Sequence, residues 1–445
     1  MATSIGSSSA NAGLDVGAIV SQLISVERQP EQIWQNQKSL LEQQASELQS
    51  LSSQVSSLQT NMDSLKDVLG VFSQRTAVSS DASVFSASAT SSAVAGQHTV
   101  EVTSLASRAS WYSDAQASGS TVLASGSFML KAGSADAVAI SVGAGHDTLD
   151  GLATHINGLN LGVHATVITD ANGARLTVAG TSTGKASDVV ISNVAGLTFT
   201  QSSQADNAKV KIDGVPVESK TNVVDGVIAG ITLTLNASAP GRALTLTVAP
   251  DTARVTSAVQ SFVSNFNTIV KSVNAQFSYD PVAGSSGLLA GDSTVRGLQQ
   301  DLLSQISFLS ETSGDIRTLA SLGVTMDNDG VLTLDSTRLS NALSSNFDNV
   351  RRFFQGTSAD GFANQFAAVL DNLTDSTEGA LTVDLKGNNA TQTMLTKQID
   401  DFEVYIASRE QQLLAQYTRV DTMLRSFSAT QNQITAALNS LASNK

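Results

Sequence analysis

Four histidines, His98, His146, His155 and His164, are the side chains best suited to acid–base or metal chemistry, and all fall in one central stretch. A zinc site needs ligands at short, fixed spacings, and none of the four forms an H-x-x-x-H pair. The chain has no cysteine, so there is no thiolate to complete a metal shell, no disulfide framework and no sulfur nucleophile. These histidines read as solvated or core-edge residues. Gly180-Thr-Ser-Thr-Gly184-Lys185 approaches a phosphate-binding loop, with one residue too few between the glycines. Ala186 also stands where a hydroxyl would hold magnesium, so a turn between strands is expected. Asp327-Asn328-Asp329-Gly330 approaches a calcium loop, but Thr325 and Ser336 occupy the first and last ligand positions, where carboxylates are required. A hairpin turn accounts for the same residues. No G-x-G-x-x-G after a strand occurs, and nothing singles out one carboxylate pair. The expectation is no catalytic residue, no cofactor and no metal: the chain is not read as an enzyme.

Composition narrows the classes further. A chain of 445 residues suggests about three domains. With 41% hydrophobic residues it can bury a core, yet only 14% are charged and 5% aromatic, low for an ordinary globular enzyme. The net charge is −14, and the densest basic pairs, Arg351 with Arg352 and Lys209 with Lys211, are isolated. Phosphate neutralisation needs clustered cations, so nucleic acid is excluded as a main partner. No apolar run reaches bilayer-spanning length, so no membrane insertion is expected. The first residues, Met-Ala-Thr-Ser-Ile-Gly-Ser-Ser-Ser-Ala-Asn-Ala-Gly, lack the basic start and apolar stretch of a cleaved secretory signal. They read as a disordered tail of a protein that is either cytoplasmic or exported by a route that reads such a terminus.

The elements that would position any functional residue are helical at the ends and β in the middle. Asp15 is a plausible N-cap for a short helix with Ile19, Leu23 and Val26 on one face, and Pro30 suits the first turn of a second helix. Leu48, Leu51, Val55, Leu58, Met62, Leu65, Leu69 and Phe72 follow a 3–4 alternation, the seam of a coiled coil. Leu413, Tyr417, Val420, Leu424, Phe427, Gln431, Ile434, Leu438 and Leu441 repeat it, with Gln431 the one polar position. Asp400, Asp401 and Glu403 near that helix's start, and Arg409, Arg419, Arg425 and Lys445 after them, suit the helix dipole. Two such helices at opposite ends of the chain should pair with each other or with other copies; the first seam has burial of an internal core as its alternative, and the second is expected to pack intermolecularly.

Between about Thr76 and Pro250 the pattern becomes β-branched alternation with Gly, Asn and Asp turns. Strands are expected at 98–103, 165–169, 175–178, 231–235 and 244–248, with one helix over 148–159. The helical period returns after Asp251, at Val255, Val259, Phe262, Phe266, Ile269 and Val273. Further helices are expected at about 292–309 and 336–354, split by a hairpin over 324–334. The layout is nested: an α+β multidomain chain with long terminal coiled-coil helices, a discontinuous helix-rich domain and two inserted β-rich head domains. Expected boundaries are 1–42 for the tail and first leg helix, 43–75 and 251–394 for the helical domain, 76–109 and 207–250 for one head domain, 110–206 for the outer head domain inserted into it, and 395–445 for the C-terminal leg helix.

Several segments, in order, carry a resemblance. Gly13-Leu-Asp-Val-Gly-Ala-Ile-Val-Ser-Gln-Leu-Ile-Ser-Val-Glu27 followed by Pro30 resembles the N-terminus of the flagellar hook-associated protein 2 family, the filament caps. So do Ala95–Ala106, Val210-Lys-Ile-Asp-Gly214 leading into Asn222–Leu235, Gly287–Arg296, Leu322-Gly-Val-Thr325 with Asp329–Asp335, and the terminal heptad helix from Arg409. Residues 110–206 are similar only loosely, so the cell adhesion known of some caps is not carried over. Ile24 stands where the family often has Met, a volume-conserving change.

The resemblance implies terminal coiled-coil legs, a discontinuous helical domain and β head domains, without a cofactor. It implies export by the flagellar type III exporter and an extracellular place at the filament tip. There a ring of four to six copies would promote insertion and folding of exported flagellin and prevent its loss. Other implied partners are hook–filament junction proteins and a cytoplasmic export chaperone at the C-terminal helix. The expected contact residues are Ile19 and Leu23 at one end, and Leu413, Tyr417, Val420, Leu424, Phe427, Ile434, Leu438 and Leu441 at the other. The alternatives are another axial flagellar protein (a flagellin or junction protein) or a surface adhesin on a coiled-coil stalk.

Overall fold

The computed structural model describes residues 14–282 and 284–442, with the side chains of Asp280, Leu441 and Ala442 outside the description. The expected tail over residues 1–13 also lies outside the described residues. In chain order the described residues form helices α1 (Val16–Glu27), α2 (Gln29–Lys66), α3 (Leu149–Gly158), α4 (Thr252–Phe277), α5 (Ser293–Ile306), α6 (Ser336–Gln355), α7 (Phe362–Thr374) and α8 (Ala380–Ala442). Antiparallel sheets occupy the middle of the chain, so the fold is α+β and multidomain. Two compact units result. One is drawn from Met1–Lys66, Val259–Ala342 and Asp348–Lys445, the other from Asp67–Ala258 with Leu343–Phe347.

In the helical unit the α2 seam faces inward: Leu48, Leu51, Val55, Leu58, Met62 and Leu65 are buried against α7 and α8. That resolves the open choice for these residues in favour of an internal core. Leu69 departs from the expected seam, because α2 ends at Lys66 and Leu69 lies exposed in the turn beyond. A cluster of rings fills the centre of the unit, with Phe353 stacked on Phe362 at 5.6 Å and Phe262 edge-on to Phe366 at 6.1 Å. The turn between α6 and α7 needs its glycines: a Cβ on Gly361 would lie 2.3 Å from the Gly356 nitrogen, and Gly356 has φ +72°. The hairpin of Val324–Met326 with Leu332–Leu334 appears as expected. Helix α7 carries no expectation from the sequence, and α8 starts at Ala380, fifteen residues before the expected leg start at 395 (395 − 380).

In the β unit, one five-stranded sheet has the order Arg75–Ser79, Leu244–Pro250, Gly96–Ser104, Ala208–Ile212, Val215–Ser219. A three-stranded sheet of Val223–Ile228, Ile231–Leu235 and Phe85–Ala89 shares a core with it around Phe85, Val102, Val210, Leu233 and Leu246. A second core lies around Phe128, Leu152, Ile156, Leu176 and Val178. It is built from a four-stranded sheet (Phe199–Ser203, Ser110–Ser113, Gly173–Gly180, Val163–Asp170), a three-stranded sheet (Val138–Val142, Gly126–Ala132, Val189–Ser192) and α3. The chain passes out to this second core and back at the bridge between Ser107 and Asp206.

Candidate functional site

The residues suited to chemistry are used for structure. His98 Nδ1 lies 2.8 Å from Asp213 Oδ2, while Asp213 Oδ1 accepts the Thr99 amide at 2.7 Å, so this pair fixes a turn. Hydrogen bonds to His98 and Thr99 hold the Asp213 carboxyl below its usual range. His146 and His155 stack with ring centroids 3.9 Å apart. Asp327 Oδ1 accepts the amides of Asp329 and Val331 at 3.0 and 2.8 Å, closing the hairpin turn with Gly330 at φ +79°. Among the described residues no group of three or more His, Asp or Glu side chains is arranged to hold a metal.

The terminal helices form the other candidate. The Asp15 side chain accepts the Ala18 amide at 3.0 Å and starts α1, as the sequence suggests. Helix α1 then packs against α8. Val20 and Ile24 are buried with Ile406 and Leu413, and Val16, Phe402 and Tyr417 flank them. The inward face is therefore Val16–Val20–Ile24, with Ile19 half-buried at its margin. The face of Ile19, Leu23 and Val26 lies beside it, and Leu23 is 39% and Val26 60% exposed, because α8 lies against the neighbouring stripe.

Polar contacts set the direction of the pair. The Leu14 amide donates to Asp421 Oδ1 at 2.9 Å, Arg409 Nε lies 3.3 Å from Glu27 Oε1, and Arg28 grips both oxygens of Glu403 at 2.7 and 2.9 Å. One end of α1 thus meets residue 421 and the other residue 403, so the helices are antiparallel. The Arg28 guanidinium also reaches Glu31 at 2.8 Å, and its bond to Glu403 is the main reason that the Glu403 carboxyl titrates below its usual range. Trp34 meets Phe402 edge-on at 5.2 Å.

From Val420 onward the seam has no cover among the described residues. Leu413 is buried and Tyr417 half-buried within the chain, so both expected contacts are taken up in cis by α1. Val420, Leu424, Phe427, Ile434 and Leu438 are 40, 49, 71, 57 and 60% exposed. Leu441 falls among the side chains outside the description. The sequence reading missed Val20, Ile24, Ile406 and the Arg28–Glu403 fork. Stepping the heptad back from Leu413 by seven residues reaches Ile406 and would have found the start of the seam.

Profiles of two family regions match this chain: the flagellar hook-associated protein 2 C-terminus over residues 205–429 and the N-terminus over residues 12–109. The first alone covers more than half of the sequence. The chain belongs to the flagellar hook-associated protein 2 family. Both matches take in the terminal helices, and the residues between them, 110–204, carry most of the second β core. The B-type flagellar hook-associated protein 2 of Pseudomonas aeruginosa is 29% identical over 406 residues, covering 84% of this chain and 83% of that one. The Escherichia coli flagellar hook-associated protein 2 is 28% identical over 401 residues, 83% and 85% of the two chains. The crystal structure of the D1-D2-D3 domains of the flagellar cap protein FliD from Escherichia coli superposes with a TM-score of 0.56 at 27% identity, covering 77% of this chain and 99% of that one. These matches support the cap reading over the flagellin, junction-protein and adhesin alternatives, and carry no support for cell adhesion by this chain.

Proposed function

We propose that this chain is a subunit of the cap at the distal end of a flagellar filament, a structural protein rather than an enzyme. The observation that carries the reading is an uncovered heptad row on α8 in a member of this family. In this account a ring of four to six copies promotes insertion and folding of flagellin and prevents its loss. The subunit leaves through the flagellar type III exporter, and hook–filament junction proteins precede it on the axis. The row from Val420 onward engages an export chaperone in the cytoplasm, then filament subunits and neighbouring caps at the tip.

Magnitudes support a many-legged assembly. Each of the five exposed row residues would gain about 1 kcal/mol on full burial, since about half of each side chain is already covered. The row then supplies about 5 kcal/mol, close to the cost of about 4 kcal/mol or more for immobilising a partner. One leg binds weakly, and several legs fixed in one ring bind through their high effective concentration. The ring can therefore release one leg at a time while the others hold.

The test is filament growth in cells lacking the chain, with unpolymerised flagellin assayed in the medium. Short or absent filaments and flagellin lost to the medium, restored by the intact gene and not by one truncated before residue 400, support the cap. Normal filaments without leakage overturn it.

A further inference from the structure

The first two helices carry a second uncovered row. Val26, Ile33 and Leu40, each seven residues after the last, are 60, 58 and 45% exposed, while Glu31 and Leu48 turn inward on the same helix. A seven-residue repeat keeps Ile33 and Leu40 on nearly one line of α2, about 10 Å apart at a rise of about 1.5 Å per residue, and Val26 stands one heptad before them at the end of α1, across the turn at Arg28. The uncovered row of α8 from Val420 to Leu438 is about 27 Å long by the same rise per residue. No charged residue occurs from Ser426 to Ala442, an unusual surface for a solvated helix and the composition expected of one that becomes buried.

We propose that the Val26–Ile33–Leu40 stripe is the seat for the distal half of α8 from a second copy of this chain; the inference rests on the cap reading above. Continuity identifies the occupant. The α8 seam already accepts α1 in cis through Ile406 and Leu413, and the Leu14–Asp421 contact marks where α1 runs out. Among the described residues nothing covers the seam beyond that point, and a second copy presents an uncovered helix row of the same kind. The contact joins two different patches, so it runs head to tail and closes into a ring when the rotation between copies allows.

The absence of cysteine makes the test direct. Ile33 and Gln431 lie near the middle of their rows, so they meet whichever way the helices run. Full-length I33C and Q431C variants, one carrying a tag, are mixed under mild oxidation at a concentration where the chain oligomerises by native mass measurement. A mixed disulfide forming about tenfold faster than with S39C, an exposed position about a third of a turn off the stripe, is the expected result. Equal rates for I33C and S39C overturn the inference, as does a chain that stays monomeric at every concentration. Faster pairing of Q431C with itself overturns it too, since distal helices would then bundle together. If the cross-link fails while filament growth still requires the chain, the cap reading stands and this contact alone is wrong.

Discussion

Asp384, in the second turn of α8, has one carboxylate oxygen buried without a hydrogen-bond partner and faces Asp292, whose other contacts are the Thr294 and Val295 amides that it caps at 2.7 and 3.1 Å. Both acids line a cleft of about 320 Å³ with Leu41, Gln44 and Asn388. Burial first, then the neighbouring acid, push the Asp384 carboxyl up to about 6 from 3.8, with the Thr294 hydroxyl acting weakly against the rise. The folded chain therefore binds this proton more tightly than the unfolded chain. The pair costs stability progressively as pH climbs from about 4 to about 6, and the cost is constant above that. Asp384→Asn removes the charge and keeps the shape. We expect it to raise Tm by about 1–3 °C at pH 7.5 and to leave Tm unchanged at pH 4, as read by thermal unfolding. Equal shifts at both pH values would assign the gain to packing. At this scale the sequence was legible for caps and turns, such as Asp15 and the Asp327–Gly330 turn, because each depends on neighbours within a few residues. The Asp292–Asp384 and Arg28–Glu403 pairs were not legible, since only folding brings their partners together across long stretches of chain.

The two halves of α8 make opposite predictions about stability. Ile406 is fully buried between the terminal helices, and Ile406→Ala should release α1, seen as faster proteolysis within residues 16–28 and as loss of amide protection there. The local cost should be about 2–4 kcal/mol. Leu438 is 60% exposed, so Leu438→Ser should leave thermal unfolding of the isolated chain unchanged. If Leu438→Ser destabilised the isolated chain, the distal seam would have a partner in cis. The sequence identified strongly periodic elements: the α2 seam, α4, α6 and the strands at Ile231–Leu235 and Leu244–Pro250 match their expected positions closely. It failed where side chains are small or the period is short. Phe85–Ala89 is Ser and Ala after its first residue, and alternation is hard to see when both faces carry small residues, while Ser110–Ser113 is only four residues long. The α1 face that meets α8 was not legible, because Ile19, Val20, Leu23 and Ile24 offer two adjacent apolar stripes and only the packing of α8 chooses between them.

For the molecule as a whole, the account separates what folds the chain from what assembles it. Internal burial ends on α8 near Tyr417, and the apolar row continues to Leu438. On the proposed function the same heptad signal serves two purposes, and a sequence cannot mark where one stops, because both need the same residue types at the same spacing. The most direct measurement is filament growth in cells whose only copy of this chain carries Leu424→Ser and Phe427→Ser. Flagellin released into the medium is assayed in parallel, and the purified variant is checked for unchanged thermal unfolding. The account predicts short or absent filaments and flagellin leakage at the level of cells lacking the chain, from a variant as stable as the parent. Normal filaments without leakage, produced by the same variant, would contradict it.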